Sequence, residues 1–278
     1  MENAEDPAYR GRPLNGRRTV VLKFGGTSLA GPARIRMAAR RVEAHVRRGH
    51  RVVAVVSASG GTTDRILSCL TRCALPAAGT SSAWRREVDR ALATGEDRAA
   101  AVVAAALRGR GVPAVSLRAG EAGVVGEGDF GEGCIAAVTT ERLCGLLADG
   151  LVPVVAGYQA VRADGETVTL GRGGSDTSAV ALAAALGAAC HIVTDVVAIH
   201  DRDPHEFADA RPIREMEHAQ LLQLANAGAR VVHPAAALLA ASSGVTLRVY
   251  HYRSPFAGSG TVVRSSFSTA HASNGGVS

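Results

Sequence analysis

The sequence is poor in aromatic rings, in paired cysteines, in long apolar runs and above all in lysine, and each shortage removes a class of protein. No apolar run reaches the roughly 18 residues that a membrane span requires, so a membrane-embedded chain is excluded. Aromatic residues make up 4% of the 278, with Trp84 the single tryptophan, which leaves too few stacking platforms for a single-stranded nucleic-acid binder. The five cysteines (Cys69, Cys73, Cys134, Cys144 and Cys190) form no Cys-x-x-Cys pair. They are expected to be reduced, mostly buried thiols of a cytoplasmic protein, with no protein-built metal site. The first residues mix charges without an apolar stretch, so no signal peptide is read there. Residues 1–18 are expected to be a disordered arm and 265–278, rich in Ser, Gly, Ala and Asn, a disordered tail. Lysine is the sharpest shortage: of 31 basic residues only Lys23 is a lysine, and the other 30 are arginine.

What is present has globular proportions, with 47% hydrophobic and 20% charged residues, enough for a sizeable core. The net charge of +6 is matched by one segment, residues 34–51, which holds seven arginines against Glu43 alone. Ile35, Ala39, Val42 and Val46 fall at helical spacing there, so the arginines are assigned to a solvated helix face and no nucleic-acid partner is expected.

Strand and helix patterns alternate along residues 19–264. The runs Thr19–Phe24 and Arg51–Ser57 are continuously apolar or β-branched, as strands covered on both faces must be. Helices are expected at 64–74 and 83–108, strands at 114–117 and 151–156, and a hairpin over 158–170 turning at Asp164-Gly165. A helix over 176–186, a strand at 191–194, helices at 216–227 and 234–241, and strands at 246–250 and 261–263 complete the reading. This succession predicts a three-layer α/β/α sandwich with a mostly parallel central sheet in one domain, 19–264.

Three strand ends run into loops of Gly, Ser and Thr: KFGGTS at 23–28, SASGGTTD at 57–64 and GRGGSDTS at 171–178. Ligands of parallel sheets bind at such ends, where glycine lets the backbone approach an anion and helix N-termini favour negative charge. The Walker GxxxxGK[ST] string is absent, so the commonest phosphate loop is not the explanation.

These loops, with VAGYQAV, the Gly95-Glu96 pair, TDV and GARVVHP, resemble the catalytic domain of aspartate kinases of the amino-acid kinase superfamily, in order over most of the chain. The resemblance implies phosphorylation of the L-aspartate side-chain carboxylate to 4-phospho-L-aspartate, with ATP and Mg2+ as cofactors. It implies catalytic roles for Lys23 and Asp176. Ser57, Thr63, Glu96, Tyr158, Arg172 and Ser175 fall on substrate-site positions, and Lys23, Gly25, Gly26, Thr194, Asp195, His200 and Arg230 on nucleotide-site positions. Chemistry supports several of these assignments. A compact ammonium suits a cramped phosphoryl site better than a planar guanidinium, and Arg172 offers the fork that a carboxylate accepts. The structural alternative for Asp176 is a helix N-cap.

The chain departs from the family pattern at Ala160 and Ala198, where glycine is usual, at His200 and His205, and at Arg230, where lysine is usual. Ala160 and Tyr158, read as the pocket edge, open a second reading in which an aspartate analogue is the acceptor. The altered 198–205 segment opens a third, a non-catalytic ligand-binding subunit. The family commonly continues into ACT domains after GTVV at 260–263, so no built-in feedback control is expected, or else a separate ACT-type regulatory subunit supplies it. A homodimer is expected.

Overall fold

The computed structural model describes residues 17–73, 81–202, 207, 209–227, 231–254 and 260–265, so nearly all of both expected arms lies outside it. Strand β1 (Thr19–Phe24) holds the centre, its inner residues buried on both faces. Alternation sends Val20, Leu22 and Phe24 to one side and Val21 to the other, with Lys23 following Val21. Parallel β2 (Arg51–Val56) and β9 (Ala189–Thr194) flank it. Beyond β2 lie β6 (Val152–Ala156) and β3 (Ala114–Leu117), both parallel. Past β9 lies parallel β11 (Leu247–His251), then β12 (Thr261–Arg264), antiparallel to β11, and β10 (Glu215–Glu217). The eight strands follow the order β10-β12-β11-β9-β1-β2-β6-β3. Since chain order departs from β1 in both directions, the connections diverge there and open a crevice at the carboxyl ends.

Helices α1 (Pro32–Arg47) and α3 (Ser82–Arg108) cover the Leu22 face through Ala39, Val42, Val103 and Leu107. The opposite face receives α4 (Glu141–Ala148), α5 (Gly174–Ala185), α6 (His218–Asn226) and α7 (Pro234–Ser243), packing Leu143, Val180, Leu221 and Ala237. The expected three layers are therefore present. Each fully buried Leu or Val contributes roughly 1.5–3 kcal/mol, so the two clusters fix the sheet that carries the strand ends. Among the described residues no helix is long and apolar enough to cross a membrane.

Several expectations are corrected. Cys69 and Cys73 are exposed because α2 (Thr62–Cys73) buries none of its residues; Cys134 is exposed as well, Cys144 half-buried, and Cys190 alone buried. The arginine face is not wholly solvated: Arg34 and Arg41 bond the carbonyls of Thr27 and Ser254, and Arg47 pairs with Glu43, a buried acid also held by Arg110. Part of the basic face thus serves the fold itself. Met216 pairs in β10 instead of opening a helix, and α6 starts two residues later at a capping box of Glu217 and Gln220.

Residues 118–150 hold a 3₁₀ turn, strands β4 (Val124–Glu127) and β5 (Cys134–Val138), and α4, none foreseen. With β7 (Gln159–Val161) and β8 (Thr167–Thr169) these strands form a second sheet, β5-β4-β7-β8. The β7–β8 connection is a three-residue loop rather than a two-residue turn: Arg162 N–H bonds Glu166 O at 2.9 Å and Gly165 takes φ 85°. The string Gly126–Gly131 spells G-x-G-x-x-G, yet it falls in the antiparallel β4–β5 hairpin with no helix behind it, so it is no dinucleotide loop.

Candidate active site

Parallel registry brings the carboxyl ends of β1, β2, β6 and β9 to one edge, with Phe24 beside Val56 and Val193, and Val56 beside Ala156. At that edge Lys23 Nζ lies 2.6 Å from Asp176 Oδ1, both side chains nearly buried at 13% and 12% exposure. Asp176 is not the helix cap. Helix α5 begins at Gly174 behind a left-handed Gly173 (φ 73°), so Asp176 is the third helical residue and its side chain is free to reach Lys23. Although buried, Oδ1 has no aligned hydrogen-bond donor, so the contact is an ion pair that leaves hydrogen-bonding capacity open. Glycine keeps the space before the ammonium clear. A Cβ on Gly25 would stand 3.3 Å from Lys23 Nζ, and one on Gly26 would stand 2.7 Å from Ala58 O. Gly60 N–H closes this wall on Gly26 O at 2.9 Å.

Ser57, Glu96, Tyr158 and Ser175 are placed near the carboxyl ends of β2 and β6 and the head of α5. Ser57 continues β2, its N–H bonded to Phe24 O at 3.1 Å. Glu96 reaches in from α3 and accepts from Ala58 N–H at 3.0 Å through Oε1. Its Oε2 is buried without a partner, and burial pushes the carboxyl up to about 7. Ser175 meets Gly157, where a Cβ would come within 3.0 Å of its Oγ. Tyr158 is the one non-glycine residue with positive φ, 68°, among the described residues. Such backbone costs about 1–3 kcal/mol and recurs at functional sites. Thr63 lies partly buried in the first turn of α2, and Arg172 is exposed on the glycine loop.

Across β1, Thr194 ends β9 and its hydroxyl bonds Asp195 Oδ1 at 3.2 Å; Asp195 itself is exposed. His200 is half-buried, its Nδ1 3.0 Å from Ala198 O, in a bridge with Pro212. Arg230 and His205 lie outside the described residues. Ala198 has no positive φ, so replacing the usual glycine brings no left-handed strain. Ala160 corrects an expectation: it is fully buried in β7 with its methyl against Gly126, not at the pocket edge.

Some supporting residues escaped the sequence reading. Ser178 Oγ accepts from Tyr158 N–H at 3.2 Å and donates to Gly174 O at 2.9 Å, tying the tyrosine to the glycine loop. Its signal was its place four residues after Gly174, one helical turn on. The ring of His233 packs on Gly173, where a Cβ would fall 2.0 Å from Cγ. Asp89 is 1% exposed and accepts from Thr169 N–H at 2.9 Å, Thr169 Oγ1 at 2.7 Å and Gly131 N–H at 2.8 Å. Seven residues before Glu96, it shares that residue's helix face.

Fold and site together define an α/β protein with a glycine-walled crevice at a switch point, built around a lysine–aspartate pair at a helix head. The amino acid kinase family model matches residues 18–251, and the chain belongs to that family. It is 42% identical to the aspartokinase of Geobacillus stearothermophilus over 231 residues, 83% of this chain and 55% of that protein. Against the aspartokinase of Mycobacterium bovis it is 44% identical over 215 residues, covering 77% and 50%. The chain thus spans about half the length of the curated relatives it matches. Among solved structures, aspartate kinase from Synechocystis superposes with TM-score 0.75 at 37% identity, covering 89% of this chain and 40% of that one. Aspartokinase III of E. coli, solved with aspartate and ADP, gives 0.77 at 28% identity, covering 91% and 66%.

Proposed function

We propose that this chain is an aspartate kinase, transferring the γ-phosphoryl group of ATP to the side-chain carboxylate of L-aspartate. The observation that carries the reading is the one lysine of the chain, ion-paired at 2.6 Å to Asp176 in a glycine-walled crevice. Phosphoryl transfer asks a protein mainly for alignment and charge balance. Lys23 supplies positive charge to the transferring oxygens, and Asp176 holds it in place. Gly25 and Gly26 admit the phosphates, while Thr194, Asp195, His200 and Arg230 take the nucleoside side. Arg172 forks onto the substrate α-carboxylate, and the open Oε2 of Glu96 receives the α-ammonium. Hydroxyls of Ser57, Thr63, Tyr158 and Ser175 orient the two carboxylates. The reacting carboxylate is ionised at neutral pH, so no general base is required. Its oxygen bonds to phosphorus as the bond to the ADP oxygen breaks, and no proton moves.

Mg2+ fits this site as a phosphate-borne ion. Among the described residues no group of three or more His, Cys, Asp or Glu can cage a metal, and Asp176, beside Lys23, is a lone carboxylate there with open acceptor capacity, while Glu96 is assigned to the substrate ammonium. That pattern suits a cation held largely by phosphates and water, with Asp176 the residue that would face it, and such a cation would supply charge neutralisation to the phosphates. That E. coli aspartokinase III binds aspartate and ADP supports the same pairing here.

The test is incubation with MgATP, L-aspartate and hydroxylamine. Aspartyl hydroxamate is expected; its absence from folded protein that binds ATP would sink the reading. A homodimer is the assembly we propose, and a monomer mass in sedimentation at assay concentration would remove it.

A further inference from the structure

A second cleft, of about 260 Å³, opens between the heads of α1 and α2 and the middle of α3. Along α3, Gly95, Ala99, Val102 and Val103 recur at helical spacing and form one stripe. Ala99 and Val103 are buried, but Val102 remains 42% exposed. With Leu29 and Ile35 these residues give the cleft an apolar floor. Gly95 lets α3 come close to the loop after β2, since a Cβ there would stand 3.0 Å from Ala58 Cβ and 3.4 Å from Thr62 Cγ2.

The charged groups at the cleft are of one sign. Arg65 and Arg98 line it, and both are exposed. Among the described residues the Arg98 guanidinium has no ion pair or hydrogen bond, and Arg65 gives one donor to the Thr62 hydroxyl at 3.1 Å. No carboxylate is among the described residues that line the cleft. The acids before Arg98 are engaged elsewhere: Glu96 accepts from Ala58 N–H, while Asp97 accepts from Gln159 and pairs with Arg118. The two hydroxyls have their protons in use, Ser59 Oγ on Leu29 O and Thr62 Oγ1 on Ser59 O, both at 2.6 Å. Exposed arginines alone are an ordinary solvated surface. These two differ in sharing a cleft that has an apolar floor and no counter-charge. Guanidinium forks beside such a floor fit a carboxylate that carries a hydrocarbon tail. An α-amino acid does not fit, because its ammonium would meet two positive charges and no carboxylate.

We propose that this cleft binds a short aliphatic carboxylate without an ammonium group, at a site separate from the crevice. Its volume lies just under the roughly 300–1,000 Å³ of ordinary small-molecule pockets, which keeps the chain short. The inference goes beyond the aspartate-kinase reading and does not depend on it. One loop joins the two places: Ser59 and Thr62 line the cleft, while Ala58 N–H holds Glu96 and Gly60 N–H holds Gly26 O. A bound tail therefore packs on the same loop that meets the wall of the crevice.

Hexanoate is the probe. Calorimetric titration of the full chain without substrates is expected to give one site per chain with a Kd of about 1 mM or tighter. Norleucine, the same chain with an added ammonium, should bind at least about tenfold more weakly, and hexylamine should not bind. Acetate keeps the carboxylate but lacks the tail, and it too should be at least about tenfold weaker. Arg98→Ala is expected to weaken hexanoate about fivefold or more, and Val102→Asp to abolish its binding. Both positions are exposed, so melting temperatures should stay near wild type. In 1H–15N spectra the amides of Ser59, Gly60 and Thr62 should move on adding hexanoate, with those of Thr194 and Asp195 unmoved. Saturating L-aspartate should not displace the probe. Absence of binding, equal binding of acetate or norleucine, an undiminished Kd in Arg98→Ala, or displacement by L-aspartate would overturn the proposal; the last would put hexanoate in the crevice. The readout needs no turnover, so it is independent of the hydroxamate assay. Binding without hydroxamate would leave this site standing and remove the kinase reading, and hydroxamate without binding would do the reverse.

Discussion

The two halves of the crevice are built differently. On the side of β2, β6 and α3, Glu96 and Ser175 are buried, and groups are held by distant parts of the chain: Glu96 from α3 on Ala58 and Tyr158 by Ser178 of α5. On the side of β9, Thr194 bonds its neighbour Asp195, and the ring of His200 faces the carbonyl of Ala198 two residues back. That second loop is rooted, since Ile199 N–H bonds the buried Thr261 hydroxyl at 2.8 Å, but its candidate groups stay on the rim. The difference teaches where selectivity resides. Groups fixed and desolvated before binding discriminate strongly, because a wrong ligand leaves them unpaired. Exposed, locally bonded groups such as Thr194 and Asp195 tolerate exchange more readily.

Lys23 sits on the seam between the halves, and its replacement should have the largest effect. Lys23→Arg is expected to lower kcat by about a hundredfold or more, roughly 3 kcal/mol in the barrier. The planar guanidinium is bulkier than the ammonium that now stands where a Cβ on Gly25 would come within 3.3 Å. Hydroxamate yield measured at matched thermal stability checks this; near wild-type turnover would refute the role.

Glu96 tests whether the desolvated half is held in readiness at an energetic cost. Burial raises its carboxyl from 4.5 to about 7 in the unliganded protein. The sign follows from linkage: a raised folded value stabilises the protonated form, a contribution that is complete below about 4.5 and disappears as pH climbs through about 7. At pH 8 the ionised, unpartnered Oε2 therefore costs the unliganded fold up to about 3 kcal/mol. Glu96→Gln should be more stable than wild type at pH 8 and lose that advantage by pH 5, as read from melting curves without ligand. Binding of an ammonium should reverse the cost, so wild-type kcat/KM for aspartate is expected to rise through about pH 7. Glu96→Gln should remove that limb and weaken aspartate about 10- to 100-fold, the loss of one charge-assisted hydrogen bond. A variant less stable than wild type at pH 8 would break the comparison.

How much of this was legible in the sequence follows the range of each interaction. The strands TVVLKF and RVVAVV, the helix that opens within GRGGSDT and the order of layers were readable because apolar periodicity and glycine breaks are local signals. Lys23 and Asp176 were readable because their neighbours are the motif. The stretch 118–150 was not: its strands are short, Gly126 and Gly133 sit in them or beside them to pack against Ala160 and Val168, and no period survives. Asp89 was silent for another reason. Its partners Thr169 and Gly131 are 80 and 42 residues away, a distance no pattern on one helix can report. The exposed Cys69 and Cys73 were misread because burial was assigned by residue type, whereas α2 lies on the outside of α3 with its thiols in solvent.

The smallest effect is expected on the rim, and it decides whether the asymmetry is real. The ring nitrogen of His200 meets the carbonyl of Ala198, two residues away, and the backbone of His200 is fixed by its bridge with Pro212 whatever side chain it carries. Removing the ring should therefore leave the loop in place and cost at most one modest contact to the nucleoside, about 0.7 kcal/mol or less, equivalent to a threefold rise in KM for ATP. His200→Ala should leave KM for aspartate untouched and reduce kcat by less than about twofold in the hydroxamate assay. A tenfold or greater rise in KM for ATP would show that the nucleotide half also depends on a preset group, and that the His in this position took over a function rather than losing one.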